Sequence, residues 1–74
     1  MQITYDRKAD AMYIKFQEGK FVSNKEVKEG VILDVGKDNM LLGIEILEVS
    51  KRFSLKDLSK VDIQMPLDLA ETKH

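Results

Sequence analysis

The stretch "VILDVGKDNMLLGIEIL", residues 31–47, decides the fold because two alternating runs of residues flank one turn signal. Within "GKDN", Gly, Asp and Asn tolerate the positive φ of a tight hairpin turn. Alternation with a period of two places successive side chains on opposite faces of a strand. The apolar positions on the inner face are Val31, Leu33, Val35, Met40, Leu42, Ile44 and Ile46. The stretch therefore predicts a β-hairpin with one apolar face.

The register of this hairpin follows from its turn. A two-residue turn at Asp38 and Asn39 predicts four cross-strand pairs: Val35 with Leu42, Leu33 with Ile44, Asp34 with Gly43, and Ile32 with Glu45. Asp34 and Glu45 then become diagonal neighbours on the mixed outer face, about 7 Å apart along the backbone. Two carboxylates are expected to share that face.

The remaining elements are assigned outward from this hairpin. "QITY" (2–5) and "AMYIKF" (11–16) predict a first hairpin, and a weaker extended segment begins near Phe21 and runs to residue 35 with a bulge or bend at Glu29–Gly30. "SLKD" (54–57) predicts a short helix capped by Ser54, with a start near Ser50 as the alternative. "VDIQMP" (61–66) predicts a last strand that ends at proline. The fold expected is α+β: a small antiparallel sheet of four to five strands with one short helix near the C-terminus, forming one domain over 1–66 and a tail over 67–74.

The size of the chain limits its core. Seventy-four residues bury only about 60% of the surface that the unfolded chain exposes. A core of this size rarely supplies more than ~3–5 kcal/mol, and there is no cysteine to form a disulfide. We therefore expect a homo-oligomer or a small protein partner to contribute further stability.

Composition argues against several classes of function. The 12 basic and 13 acidic residues give a net charge of −1 with scattered lysines, which argues against nucleic-acid binding. Without cysteine, and with one histidine at position 74, the chain has no thiol nucleophile, zinc–thiolate site or histidine triad. No apolar run reaches the length of a membrane span, and the N-terminus lacks the apolar core of a signal peptide. A cytoplasmic chain without a membrane segment, cofactor or assigned metal is expected.

The residues with the most chemical interest are Asp10, Asp34, Gly43 and Glu45. Asp34 and Glu45, joined by Asp10, are suited to general acid–base chemistry or to a hard cation such as Mg²⁺. The alternative is that these carboxylates solvate the outer face of an antiparallel sheet. No catalytic residue is assigned, because no complementary nucleophile accompanies them.

Gly43, Tyr5, Tyr13 and the tail residues raise questions of packing and contact. A glycine inside a strand indicates a close approach. Gly43 either makes room for Tyr13 or marks a contact between two copies of the chain. Tyr5 and Tyr13 are candidates for interaction as amphipathic residues on strands, and Leu67 and Leu69 as apolar residues of the tail.

The ordered motifs resemble a small prokaryotic family, the domain of unknown function 2283. Its members show Tyr-Asp, then Asp-Ala-hydrophobic-Tyr-Ile, and later an Asp, a turn and Gly-Ile-Glu-Ile-Leu. The matching positions are Tyr5, Asp6, Asp10, Ala11, Tyr13, Ile14, Asp34, Gly43, Ile44, Glu45, Ile46 and Leu47. Met12 departs from the usual aliphatic residue. The resemblance implies no activity, and some members look like companions of small toxin-like proteins.

Two functional hypotheses follow. The first is a protein-interaction module that self-associates or accompanies a small protein, in the manner of an antitoxin. The alternative is a metal- or small-ligand-binding domain that uses Asp34 and Glu45, with hydrolysis as one form of it. The lack of a catalytic constellation favours binding over catalysis. RNA binding through residues 51–60 ranks third.

Overall fold

A computed structural model describes residues 1–66 of the chain. Its centre is one antiparallel five-stranded sheet with strand order β1-β2-β5-β4-β3, followed by two short helices. The elements are β1 (Gln2–Asp6), β2 (Ala11–Lys15), β3 (Phe21–Lys28), β4 (Val31–Gly36), β5 (Leu41–Ile46), α1 (Val49–Arg52) and α2 (Leu55–Leu58). The predicted α+β class is confirmed. The predicted tail, with Leu67 and Leu69, lies outside the described residues.

Strand β5 lies at the centre of the sheet, between the first hairpin (β1 and β2) and strand β4. It pairs with β2 on one side and with β4 on the other. The predicted pairs of Ile32 with Glu45, Leu33 with Ile44 and Asp34 with Gly43 are confirmed. Asp38 and Asn39 both adopt positive φ, as the predicted turn requires.

One predicted pair of this hairpin is wrong. Val35 lies opposite Leu41 rather than Leu42, because the register shifts between Asp34 and Val35. Two residues of β5 then oppose one residue of β4, which is the geometry of a β-bulge. The carbonyl of Leu42 accepts a hydrogen bond of 2.8 Å from the amide of Phe16, beside the end of β2. The extra residue therefore helps to fasten β5 to the first hairpin.

Three other expectations are corrected. The extended segment over 21–35 forms two strands, because Gly30 turns the chain with φ +77°. Two short helices are present near the C-terminus rather than one; the predicted cap is found in α2, where the Ser54 side chain accepts a 3.1 Å hydrogen bond from the Asp57 amide. Residues 61–66 form no strand. The fifth strand of the sheet thus comes from the division at Gly30 and not from "VDIQMP".

The apolar face of the sheet has little cover. Among the described residues, Met12, Leu42 and Val49 are the buried large apolar side chains. One apolar row crosses four strands without a buried member, and its residues pair in the order Ile3, Ile14, Ile44, Leu33. The core is therefore a single sheet face that the short helices cover only in part.

Candidate functional site

The face opposite the apolar one brings together three of the four residues proposed as a functional cluster. Tyr13 of β2 lies opposite Glu45 of β5, and Asp34 of β4 lies opposite Gly43 of β5. All four side-chain positions share one face by the period of the strands. The predicted proximity of Asp34, Gly43 and Glu45 is thus found, with Tyr13 as their neighbour.

Gly43 makes room for the Tyr13 ring. A Cβ atom at position 43 would lie 2.6 Å from Cζ of Tyr13 and 2.6 Å from the carbonyl oxygen of Ile14, and it would also overlap the Tyr13 hydroxyl. Real Cβ atoms do not approach other atoms so closely. The tyrosine therefore lies across the strand where any larger residue would place its side chain.

The surroundings of Tyr13 keep its hydroxyl protonated. Burial raises the pKa of Tyr13, and the neighbouring carboxylates of Asp34 and Glu45 raise it further. The carboxylates disfavour a phenolate because it would be a third negative charge beside them. Tyr13 is suited to donate a hydrogen bond on this face and is poorly suited to act as a base.

Asp10 lies elsewhere and binds a different set of groups. Its carboxylate accepts a 2.7 Å hydrogen bond from the Tyr5 hydroxyl, one of 2.7 Å from the Ser50 hydroxyl, and two from the Ser50 amide at 3.1 and 3.3 Å. Tyr5 is adjacent to Thr4, which pairs with Tyr13, so Tyr5 and Tyr13 occupy opposite faces. Asp10 is thereby held away from Asp34 and Glu45.

The Asp10 contacts join the first hairpin to helix α1. The Val49 amide also donates to the Asp10 carbonyl at 3.0 Å, and Val49 is fully buried. Hydrogen bonds from Tyr5, followed by those from Ser50, lower the pKa of Asp10, and the bond to Asp10 raises the pKa of Tyr5. This arrangement is a structural clamp, which we call the Asp10 clamp: Tyr5, Asp10 and Ser50.

The candidate residues were also compared with the ligand sets of metal sites. Within 1–66, no group of three or more His, Cys, Asp or Glu side chains is placed to hold a metal ion. Asp34 and Glu45 provide two carboxylates on one face, and Asp10 is engaged by the clamp. No helix in the same range is long and apolar enough to span a membrane.

Arg52 was not identified from the sequence, although it fixes the position of helix α1. Its guanidinium donates to the Leu47 carbonyl at 2.8 Å and to the Glu29 carbonyl at 2.6 Å. It also lies against Gly30, where an added Cβ would overlap the guanidinium. The only sequence signal is a glycine at a bend, which does not say which distant cation packs against it.

The comparisons identify a family for this chain. A family model described as "Protein of unknown function (DUF2283)" matches residues 2–50, more than half of the chain. The chain belongs to the DUF2283 family. The matched part includes all five strands and ends at Ser50, the last residue of the Asp10 clamp.

A curated protein of Methanosarcina mazei is similar to this DUF2283 chain. It is named "Putative hypoxanthine phosphoribosyltransferase" and is 37% identical over 51 residues, which are 69% of this chain and 41% of that protein. The chain therefore spans about two fifths of the length of this relative. No solved structure matches the chain.

The geometry gives the DUF2283 motif residues two separate tasks. Tyr5 and Asp10 belong to the clamp that fastens α1 to the sheet. Tyr13, Gly43 and Glu45 belong to the packed outer face of the sheet. The contacts of these motif residues are therefore structural: they hold helix α1 and the strands in place.

Proposed function

We propose that this prokaryotic, cytoplasmic chain is a protein-interaction module that pairs first with a second copy of itself. The open apolar face of the sheet carries the proposal. Of the large apolar side chains within 1–66, three are buried, whereas in the row from Ile3 to Leu33 the side chain of Ile3 is exposed and the other three are only partly buried. Exposed apolar patches on small domains mark interaction surfaces, and chains of this size commonly gain stability through association.

The two edges of the sheet differ in their suitability for contact. Every residue of β3 is exposed, yet this strand carries Lys25 and Lys28 and has register shifts near both ends. Lysines and bulges are the devices by which edge strands avoid pairing with other chains. Strand β1 has five residues, and no shift interrupts its register with β2. The proposed surface is therefore the apolar face at its β1 side.

The face beside β1 includes a groove. Its volume is about 390 Å³, and it lies between the first hairpin and helix α2. The apolar lining residues are Ile3, Tyr5, Met12, Leu55, Leu58 and Val61. Arg7 lies at the same groove and has no ion pair among the described residues. An apolar surface bordered by charge is typical of protein contacts.

A small partner protein, as for an antitoxin-like companion, would bind the apolar face of the sheet and is the second form of this proposal. The metal or small-ligand hypothesis for Asp34 and Glu45 stays a prediction. Titration with Mg²⁺, Mn²⁺ and Ca²⁺ tests it by amide chemical shifts: shifts confined to residues near 34 and 45, lost in Glu45→Gln, would support it.

The activity in the name of the Methanosarcina relative is not proposed for this chain, because the chain spans 41% of that protein. The four glycines of the chain lie at positions 19, 30, 36 and 43 and form no glycine-rich phosphate loop. The sheet supports an interaction function with fewer assumptions.

The proposal is tested by sedimentation equilibrium of the whole chain over roughly 1–100 μM, the range of common homodimer affinities. We expect a species heavier than the 8.5 kDa monomer, with an unfolding midpoint that rises with concentration. Ile3→Lys, which charges the apolar face, should weaken association. Thr4→Lys is the matched control: Thr4 also borders the groove, but the period of the strand places its side chain on the face opposite to Ile3, so this variant should associate like the wild type.

Affinity capture of the tagged chain in its native host tests the second form. A chain that is monomeric at all concentrations, has concentration-independent stability and yields no captured partner that requires Ile3 would contradict both forms. Equal effects of Ile3→Lys and Thr4→Lys would show that the apolar face is not the contact surface.

A further inference from the structure

Residues 61–65 have the alternation of a strand but pair with no strand among residues 1–66. Val61, Ile63 and Met65 are 59%, 57% and 55% exposed. The Gln64 side chain donates a 2.9 Å hydrogen bond to Asp62, so these two side chains lie on one side, as expected for an extended segment. In the part of the chain that the structure describes, no backbone hydrogen bond joins residues 61–66 to the sheet.

We propose that residues 61–65 add as a sixth strand to the β1 edge of a second copy of this chain, and that the second copy reciprocates. The inference rests on the proposed function, since it states how self-association takes place. Strand addition at an exposed edge uses backbone hydrogen bonds for affinity and alternate side chains for specificity. A two-fold axis beside β1 would make both contacts identical.

The apolar alternation fits either strand direction, and the rest of the sheet together with the charges favours an antiparallel register. All the strand pairs of the sheet are antiparallel. With Ile63 opposite Ile3, the apolar partners are Val61 with Tyr5, Ile63 with Ile3, and Met65 with Met1. Each apolar residue of the segment then lies beside an apolar residue on the same face of the sheet. The row from Ile3 to Leu33 gains Ile63 as its next member.

The charges agree with this register. Lys60 falls opposite Asp6, and neither residue has an ion pair among the described residues. Asp6 uses Oδ1 to accept from the Lys8 and Ala9 amides, which leaves Oδ2 available for Lys60. A shift by two residues in one direction would place Asp62 opposite Asp6, a pair of like charges that destabilises a sheet. A shift in the other direction would separate Lys60 from Asp6 and place Ser59 opposite Tyr5. Complementary charge and complementary apolar residues thus point to one alignment.

A second copy fits this edge better than an unrelated protein because the segment starts beside the edge it matches. Val61 lines the groove with Ile3 and Tyr5 of its own chain. Five residues in strand conformation span about 17 Å, which is the length of β1. Copies that meet at β1 can therefore exchange these segments with no change in the fold of the sheet.

The first test compares Ile63→Lys with Gln64→Lys in sedimentation equilibrium. Both positions are exposed and adjacent, and both substitutions add a lysine, but only Ile63 lies on the apolar face in the proposed pairing. We expect Ile63→Lys to weaken the dimer by roughly tenfold or more, as for loss of an interface anchor, and Gln64→Lys by less than about threefold. Equal effects would overturn the proposed strand.

The second test uses cysteine pairs, since the natural chain has no cysteine. The variant Ile3→Cys with Ile63→Cys should form a disulfide-linked dimer under mild oxidation, because directly opposed residues have Cβ atoms about 4.5–5.5 Å apart. Ile3→Cys with Gln64→Cys is the control and should cross-link poorly. A disulfide within one chain, visible as a monomer of altered mobility, would show that residues 61–65 pair with their own β1.

The outcomes separate this inference from the proposed function. Suppose that the wild type dimerises and that Ile3→Lys disrupts the dimer, whereas Ile63→Lys leaves it unchanged and the Ile3→Cys, Ile63→Cys variant does not cross-link. Self-association then stands, and strand exchange is wrong. If the wild type is a monomer throughout, strand exchange is wrong, and capture of another protein through Ile3 decides whether an interaction function survives.

Discussion

Replacing Gly43 with alanine tests whether Tyr13 and the β2 backbone leave space for a side chain. The new Cβ would lie 2.6 Å from the Ile14 carbonyl oxygen and from Tyr13 Cζ, whereas ordinary contacts are 3.4–4 Å. Relief requires a movement of about 1 Å between β2 and β5, the pair that joins the two hairpins. Overpacking of this kind costs ~1–3 kcal/mol, and alanine returns roughly 0.5–1 kcal/mol relative to glycine in a strand. These ranges leave a net loss of about 0–2.5 kcal/mol, and the clash with the Ile14 backbone carbonyl, which cannot rotate away as a side chain can, places the expected loss in the upper part, about 1–2 kcal/mol. That is a large part of the ~3–5 kcal/mol typical of such a small core.

Urea unfolding followed by far-ultraviolet circular dichroism, at one fixed chain concentration, measures this loss. Gly19→Ala is the matched control: its new Cβ would meet Leu42 Cδ2 at 2.6 Å, and the end of a leucine side chain can move where a backbone carbonyl cannot. The Tyr13→Ala background should relieve only part of the cost of Gly43→Ala, because the Ile14 carbonyl remains. A Gly43→Ala chain within about 0.5 kcal/mol of wild type, or a Gly19→Ala loss of equal size, would refute this account.

Three further predictions concern the clamp and helix α1. Val49→Ala should lower the free energy of unfolding by about 2–3 kcal/mol through lost methyl groups and a cavity, whereas Val27→Ala on the exposed edge should cost under ~1 kcal/mol in the same urea assay. Hydrogen bonds lower the pKa of Asp10 in the folded chain below its unfolded pKa of 3.8. The Asp10 carboxylate therefore stabilises the fold at pH values above 3.8, and this stabilisation is lost as the pH falls through the folded pKa. The stability difference between wild type and Asp10→Asn should therefore shrink in acid, and a difference that is constant from neutral pH to below 3 would contradict the clamp. Arg52→Lys should remove one of the two hydrogen bonds to backbone carbonyls and lower the free energy of unfolding by about 0.5–1.5 kcal/mol. An unchanged urea midpoint would contradict a role of Arg52 in holding helix α1.

The faces and most of the register of the second hairpin were predictable because they follow from local alternation. Leu33 with Ile44 and Asp34 with Gly43 needed only the period of a strand and a two-residue turn. The pair of Val35 with Leu41 was not predictable. It depends on a bulge, and the carbonyl of the bulged Leu42 bonds the amide of Phe16 in another part of the sequence.

The candidate site was predicted in part for the same reason. Asp34 and Glu45 lie on one face because side chains alternate along the two strands of one hairpin. Their proximity therefore follows from the local sequence. Asp10 is separated from them by the positive φ at its own position and by its bonds to Tyr5 and Ser50, forty residues away in the second case. A motif aspartate next to a strand does not reveal which face its carboxylate will reach.

The error over residues 61–66 has a different cause. The alternation of Val61, Ile63 and Met65 predicts that the segment can form a strand with one apolar face. It does not predict whether the strand it pairs with belongs to the same molecule. Within 1–66 these side chains remain more than half exposed. A segment that has the period of a strand and pairs with no strand among the described residues is what an intermolecular strand would leave in a monomer.

Edge exchange and face binding would use different parts of the same sheet. Strand exchange covers β1, whereas the row of Ile14, Ile44 and Leu33 lies on three interior strands of the apolar face. A dimer joined through β1 would extend that face rather than close it, since Ile63 adds to the end of the row. If the proposed strand exchange is correct, a second protein would be able to bind this face without displacing either copy. If such a partner is captured, Ile63→Lys should weaken its binding only through loss of the dimer, whereas a charge introduced at the centre of the row should remove its binding directly.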